Sequence, residues 1–251
     1  MFRKILTGIV LVSLLLGAVS CAKKEPTRIT IATDATWPPM EMVDTDKSIV
    51  GFDIDLMNAA AKAGGFTVEF KNTAWDGIFA GLDNGKYDAV MSSVTITDER
   101  KKTMDFSLPY INAGQILVVK SEMSGVSTLD DLKGKTVGAQ IGTTGAFEID
   151  KVKDANKTKE KTYDEIGLAF ADLANGRIDA VVCDTPVAAQ YALQNDEYKG
   201  KLKIVGQPFT EEYYGVAVKK GNAKVLDAIN AGLKKVLDAG ANKAIQDKWL
   251  K

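Results

Sequence analysis

The feature that most constrains this fold is an internal repeat. The segments LDNGKYDAVMSS (residues 82–93) and LANGRIDAVVCD (residues 173–184) share the pattern Leu-x-Asn-Gly-(Lys/Arg)-x-Asp-Ala-Val. Apolar residues at helical spacing precede each copy, Asn-Gly is typical of a helix end, and Asp-Ala-Val is typical of a short buried strand. The repeat therefore predicts two helix–strand units, although any α/β protein can reuse such a unit.

Strands and helices alternate elsewhere in the chain. The pattern predicts strands over residues 28–33, 67–70 and 136–139, a helix over residues 53–63 and another after Gly142. This alternation predicts an α/β protein with mostly parallel sheets, which bind ligands beyond the carboxyl ends of their strands. The two copies of the repeat end differently, in Ser92-Ser93 and in Cys183-Asp184. If they belong to two lobes, both ends can face one cleft.

The first twenty residues are interpreted as an export signal. Arg3 and Lys4 precede an apolar run over residues 5–16, which is too short to span a membrane as a stable helix. Small residues then lead to Cys21, in a pattern that resembles a bacterial lipoprotein cleavage site. We expect residues 1–20 to be a lipoprotein signal peptide and Cys21 to carry a lipid anchor, with a plain secretory signal as the alternative. Both interpretations predict an extracytoplasmic protein, in the periplasm or at the outer cell surface.

Charge and rare residues exclude several classes of protein. Removing residues 1–20 takes away two basic residues, which leaves 30 Lys and Arg against 33 Asp and Glu and argues against nucleic acid as a partner. The chain has no histidine, which argues against Ser-His-Asp catalysis and zinc sites. Cys183 is the only cysteine besides Cys21, so a lipidated chain cannot form an intramolecular disulfide. We expect no cofactor and no metal.

Several segments are similar, in order, to the polar amino-acid-binding proteins that serve bacterial ABC importers, solute-binding protein family 3. These segments are ATDATWPPME, GFDIDLMNAAAKAG, SSVTITDERKKTMDFSLPY, VGAQIGTTG and CDTP. The resemblance covers essentially the whole chain after the signal. It implies a monomer that binds a free amino acid between two lobes and delivers it to the permease subunits of an ABC transporter.

The same resemblance implies the domain organisation. The expected fold is the α/β, two-lobed, periplasmic-binding-protein-like fold of type II, with two crossing segments as its hinge. Lobe one would contain residues 26–110 and 212–251, and lobe two residues 115–207. The hinge would lie at about residues 110–114 and 208–212.

The resemblance also implies which residues bind the ligand. An amino acid needs a cationic site for its carboxylate and an anionic site for its ammonium group. The expected carboxylate site is Arg100 with Ser93, Thr95, Thr143 and Thr144; the ammonium site is Asp184 with Ser92; the side-chain pocket is Asp34, Trp37, Trp75 and Gln140. A carboxylate beside two indole rings suits a guanidinium group, so we expect arginine first, glutamine second, and poor binding of acidic amino acids.

Each candidate also has an ordinary structural role open to it. Arg100 lies in DERKK, which could be a solvated surface; Asp184 and Asp34 could be caps; both tryptophans could be core residues; and the hydroxyl residues could belong to strand ends or turns. Two other functions stay open. One is a free-standing amino-acid sensor subunit, and the other is an enzyme resembling cyclohexadienyl dehydratase. In that enzyme branch a catalytic glutamate occupies the position of Val187, which cannot transfer a proton.

Overall fold

The structure is a computed structural model that describes residues 27–250. The predicted signal peptide and Cys21 lie outside the described residues. The strands are β1 Arg28–Thr33, β2 Thr36–Trp37, β3 Glu41–Val43, β4 Ile49–Val50, β5 Thr67–Asn72, β6 Ala89–Val90, β7 Met104–Phe106, β8 Ile111–Asn112, β9 Gln115–Lys120, β10 Thr136–Gln140, β11 Lys159–Tyr163, β12 Ala180–Asp184, β13 Leu202–Val205, β14 Tyr213–Tyr214 and β15 Ala217–Lys219. The α-helices are α1 Phe52–Gly64, α2 Ile78–Asp83, α3 Asp98–Thr103, α4 Thr144–Asn156, α5 Ile166–Ala174, α6 Thr185–Ala189, α7 Ala223–Asp238 and α8 Asn242–Trp249.

Two five-stranded sheets form the centres of two lobes. The first sheet has the strand order β5-β1-β6-β15-β7, and the second has the order β11-β10-β12-β9-β13. The arrangement confirms the predicted α/β class, and every strand and helix predicted from periodicity is present within a few residues of its predicted bounds.

The two sheets are mixed, so the prediction of mostly parallel sheets was only half right. The pairs β1–β5, β1–β6, β10–β11 and β10–β12 are parallel, whereas β15 and β9 run antiparallel to both of their neighbours. The reason lies in the connections. Strands β9 and β15 each follow directly on a segment, β8 or β14, that lies between the sheets, and these two segments pair with each other. The exact lobe and hinge boundaries stay a prediction.

The two copies of the repeat have the same local structure. Asn84 is the C-cap of α2 and Asn175 is the C-cap of α5, and the glycine after each has a positive φ, 69° at Gly85 and 70° at Gly176. Glycine suits this left-handed position because it has no Cβ. The predicted helix–strand units are therefore confirmed.

The aspartate of each repeat joins its strand to a neighbouring strand. Asp88 Oδ2 accepts from the backbone N–H of Thr30 at 2.8 Å, and Asp179 Oδ2 accepts from the backbone N–H of Thr136 at 2.8 Å. Asp88 directly precedes β6 and Asp179 directly precedes β12, so both aspartates lie at the amino ends of their own strands, away from the carboxyl ends. The shared part of the repeat is thus structural, and only its different endings are free for function.

Within residues 27–250, no helix combines the length and the apolar character that membrane crossing requires.

The paired aspartates give a stability prediction. We expect Asp88→Ala and Asp179→Ala each to lower the free energy of unfolding by about 1–2 kcal/mol, because each leaves a part-buried backbone N–H without its charged acceptor. Urea unfolding followed by circular dichroism measures the change. Asp238→Ala is the control, since Asp238 forms an exposed pair with Lys234 and such pairs contribute about 0.3–0.5 kcal/mol. Equal effects in all three variants would contradict the prediction.

Candidate functional site

A cavity of about 310 Å³ lies between the two lobes, at the carboxyl ends of β1, β6, β10 and β12. All eleven predicted ligand-binding residues line it: Asp34, Trp37, Trp75, Ser92, Ser93, Thr95, Arg100, Gln140, Thr143, Thr144 and Asp184. These residues come from positions up to 150 apart in the chain, so their convergence depends on the packing of both lobes.

The Arg100 side chain points away from the charged surface of α3 and toward the cavity. Its neighbours Lys101 and Lys102 form exposed ion pairs with Asp98 and Glu99. Arg100 Nη1 instead donates to the carbonyl of Thr95 at 2.9 Å, and Nη2 donates across the cleft to the carbonyl of Gly142 at 3.2 Å.

Two aromatic rings and two carboxylates surround the Arg100 guanidinium. Its central carbon lies 5.5 Å from the centroid of Trp75 and 5.3 Å from that of Phe79, within cation–π range. Burial lowers the pKa of Arg100 to about 10, and the negative charges of Asp184 and Glu212 oppose that shift. The group is therefore a cation at neutral pH, with free N–H donors left after its two backbone contacts.

Asp184 ends β12 and is almost fully buried. It occupies the N-cap position of α6, but its side chain makes no capping hydrogen bond, so capping does not account for it. Burial and the nearby charge of Glu212 raise the pKa of Asp184 to about 7. A carboxylate this costly to ionise gains from a cationic partner.

Asp34 and Gln140 meet across the cleft. Gln140 Nε2 donates to Asp34 Oδ2 at 3.0 Å, and the hydroxyl of Thr36 donates to Asp34 Oδ1 at 2.8 Å. Burial raises the pKa of Asp34, and these two hydrogen bonds reduce the shift. Trp37 and Trp75 both line the cavity and also belong to hydrophobic core clusters, so core packing and cavity lining are combined in them.

Ser92 and Ser93 follow β6 and rest on two buried carboxyl groups that the sequence analysis did not single out. The Ser92 hydroxyl accepts from the backbone N–H of Asp34 at 2.9 Å and donates to Glu41 at 3.2 Å. Ser93 has a left-handed backbone, with a φ of 51°, and its N–H donates to Asp53 at 3.0 Å.

Glu212 is another residue that sequence reasoning missed. Its Oε2 accepts from the hydroxyl of Thr95 at 2.9 Å and from that of Thr144 at 2.6 Å, and Gln115 Nε2 donates to the same atom at 3.3 Å. Thr95 and Thr144 belong to different lobes, so Glu212 links the two walls of the cleft. The only sequence signal was its position at the edge of the predicted 208–212 crossing.

The turn before α4 has a structural role as well. The hydroxyl of Thr143 donates to the carbonyl of Gln140 at 2.8 Å and accepts from the backbone N–H of Ala146 at 3.3 Å, which caps the helix. Helix α4 begins at the cavity, so its first N–H groups are available to an anion.

Two further observations concern proton transfer and metal binding. Val187 is fully buried in the apolar core, and a valine side chain cannot transfer a proton. In the part of the chain that the structure describes, no group of three or more His, Cys, Asp and Glu residues could hold a metal ion.

Comparisons with protein families, curated proteins and solved structures all match solute-binding proteins. Residues 29–251 match the model of the bacterial extracellular solute-binding proteins, family 3. The probable histidine-binding protein of Neisseria gonorrhoeae is 41% identical over 220 residues, which cover 87% of this chain and 81% of that protein.

Two solved structures are similar over nearly the whole chain. An ancestral arginine-binding protein bound to arginine is 43% identical, with a TM-score of 0.85, and the match covers 91% of this chain and 100% of that one. An ancestral arginine-binding protein bound to glutamine is 44% identical, with a TM-score of 0.82, and the match covers 88% and 97%. The family comprises binding proteins rather than enzymes. This chain, with its two lobes and its polar cleft, belongs to the bacterial extracellular solute-binding proteins of family 3.

Proposed function

We propose that this protein captures a free polar or basic amino acid, L-arginine first and L-glutamine second, and delivers it as a monomer to the permease of an ABC importer. The observation that carries the proposal is the charge of the cavity. Asp34 and Asp184 line it with a single cation, Arg100, among the described residues, and Glu212 adjoins it. A ligand with a net positive charge offsets this excess of carboxylates, whereas aspartate or glutamate would add to it.

The ligand's α-carboxylate would bind at Arg100 and at the start of α4. Arg100 keeps free N–H donors, and the first backbone N–H groups of α4 favour an anion. The hydroxyls of Thr95 and Thr144 donate to Glu212. Because a hydroxyl carries one proton, each must turn from Glu212 to the ligand in order to bind its carboxylate. Ser93 and Thr143 complete this end of the proposed site.

The α-ammonium group would bind between Asp184 and Ser92. The Ser92 hydroxyl gives its proton to Glu41 and accepts from Asp34 N–H, which leaves one lone pair for an ammonium donor. The ligand's guanidinium would then pair with Asp34, beside Trp37, Trp75 and Gln140. Glutamine is the runner-up because Asp34 can accept from an amide as well.

Closure of the cleft would be a hinge motion at residues 110–114 and 208–212. Contacts from Arg100 to Gly142 and from Gln140 to Asp34 already join the walls of the cavity. In this proposal, the ligand adds its own contacts to both walls and so favours the closed arrangement. The proposal also includes a lipid anchor at Cys21, supported by the apolar run and small residues that precede it.

The first prediction separates the common amino-acid site from the side-chain pocket. We expect Arg100→Ala to weaken every ligand by about 2–5 kcal/mol, because it leaves a buried carboxylate without its partner. We expect Asp34→Asn to weaken arginine binding by about 2–3 kcal/mol. Glutamine affinity should change little, since Asn can still accept from an amide. Isothermal titration calorimetry with arginine, glutamine, histidine and glutamate measures both.

Asp76→Asn is the matched control, because Asp76 is an exposed acid next to Trp75. Tight binding of glutamate by the wild type, or unchanged arginine affinity in Asp34→Asn, would exclude the proposed ligand order. Normal affinity for all amino acids in a folded Arg100→Ala protein would remove Arg100 from the site.

The second prediction concerns pH. The pKa of Asp184 is about 7, and an ammonium ligand favours the ionised carboxylate, so affinity is present above pH 7 and is lost as the pH falls through it. From this pKa we expect arginine to bind about tenfold more weakly at pH 6 than at pH 8, with release of a proton on binding at pH 6. Calorimetry in buffers of different ionisation enthalpy measures both quantities. An equal affinity at the two pH values would contradict the role of Asp184.

The third prediction concerns the anchor. We expect the wild-type protein to fractionate with membranes after expression from its own signal, and Cys21→Ser to fractionate with soluble proteins, because the variant cannot be lipidated at that position. Immunoblotting of the two fractions measures the distribution. Cys183→Ser serves as the control for loss of a thiol. An equally soluble wild type would exclude the lipid anchor and leave the plain secretory signal.

A further inference from the structure

Two carboxyl groups are fully buried beneath the proposed ammonium site. Glu41 lies in β3 and Asp53 in the first turn of α1, and both side chains belong to residues that are 0% exposed. The backbone brings them together, since the N–H groups of Phe52 and Asp53 donate to the carbonyls of Pro39 and Met40. Neither carboxyl group forms an ion pair with any residue between 27 and 250.

The hydrogen bonds of the pair are unequal. Asp53 Oδ2 accepts from the backbone N–H of Ser93 at 3.0 Å and from the hydroxyl of Tyr110 at 2.8 Å. Glu41 accepts only from the hydroxyls of Ser92 and Ser93, at 3.2 and 3.4 Å. The stronger donors therefore favour a negative charge on Asp53, which also lies where the dipole of α1 favours an anion.

One oxygen of the pair accepts no hydrogen bond from an N–H or O–H group of the described residues. Asp53 Oδ1 is buried and has no hydrogen-bond partner in the described part of the chain. A proton on the facing Glu41 carboxyl would supply that donor and would remove one of two like charges from the interior.

We propose that Glu41 and Asp53 are positioning residues, a carboxyl pair that holds one proton on Glu41 and fixes the Ser92-Ser93 turn for the ligand. The inference rests on the proposed function, because it assumes that this turn binds the amino acid. Glu41 accepts both serine hydroxyl protons, and Asp53 holds the Ser93 N–H in its left-handed turn. A non-glycine residue in that conformation needs such support.

The electrostatic surroundings agree with this assignment. The titratable groups that face the pair are Asp34 from the end of β1, Tyr110 ahead of β8 and Tyr214 in β14, and none of them is a cation. Burial raises the pKa of Glu41 well above its usual value, and the charges of Asp53 and Asp34 raise it further. Burial also raises the pKa of Asp53, to about 6, against the hydrogen bonds that it accepts from Ser93 and Tyr110.

The test compares two isosteric amide substitutions. Glu41→Gln keeps a donor for Asp53 and an acceptor for one of the two serine hydroxyls, whose bonds to Glu41 are long at 3.2 and 3.4 Å, so we expect arginine affinity within about threefold of the wild type at pH 8. Asp53→Asn removes the charged acceptor from the Ser93 N–H, so we expect a loss of about tenfold or more. If both carboxyl groups were ionised, the two substitutions would weaken binding alike, and that result would overturn the proposal. Wild-type affinity in Asp53→Asn would overturn it as well.

A spectroscopic readout does not depend on ligand or on the folding of Asp53→Asn. The infrared spectrum of the wild type at pH 8, minus that of Glu41→Gln, should contain the carbonyl stretch of one protonated carboxylic acid. Its absence would overturn the proposal. Thermal unfolding checks that each variant is folded. If the wild type binds no amino acid, the proposed function fails, while the infrared spectra still decide the state of the pair.

Discussion

The cost of burying carboxylates governs the structure between the lobes. Five carboxyl groups are nearly or fully buried there, Asp34, Glu41, Asp53, Asp184 and Glu212, and among the described residues Arg100 is the cation that lines the same cavity. A buried charge is tolerated only when it is paired, hydrogen-bonded or protonated. Asp34, Asp53 and Glu212 are accommodated by the hydrogen bonds that they accept. In the proposed function, Asp34 and Asp184 outnumber the cation Arg100 in the cavity lining and so favour a ligand with a net positive charge.

The hydroxyl groups around the cavity are oriented by the buried carboxyl groups behind them. Each serine or threonine hydroxyl has one proton to give, and Glu41 and Glu212 determine where it goes. Ser92 donates to Glu41, whereas Thr95 and Thr144 donate to Glu212. Consequently Ser92 presents a lone pair to a hydrogen-bond donor. The hydroxyls of Thr95 and Thr144 can instead turn from Glu212 and donate to an acceptor in the cavity. Two carboxyl groups behind the cavity thus give its two ends opposite hydrogen-bonding character, which matches the two ends of an amino acid.

The repeat explains why the two lobes can share one design and still differ where the ligand binds. Asp88 and Asp179 make the same contact to the strand beside them, at the ends of the sheets that lie away from the cleft. Ser92-Ser93 and Cys183-Asp184 lie at the carboxyl ends of the same repeat units and do not take part in that contact. Cys183 turns into the core, where burial raises the pKa of its thiol, and Asp184 faces the cavity. A common scaffold therefore carries a hydroxyl turn in one lobe and a carboxylate in the other.

Local sequence patterns predicted the helices and strands, and the family resemblance predicted which residues line the cavity. Helical periodicity, Asn-Gly ends and short apolar strands are local patterns. Gln140 and Asp184 end predicted strands, at the edge of the sheet where ligands bind in α/β proteins, and the family resemblance supplied their expected roles. The contacts of Glu41, Asp53 and Glu212 could not be predicted in this way, because they depend on the packing of distant segments. Glu212 lies 117 residues from Thr95 and 68 from Thr144, yet it bonds both. The charge state of a buried carboxyl group depends on the groups that packing brings around it, and no spacing along the chain encodes that environment.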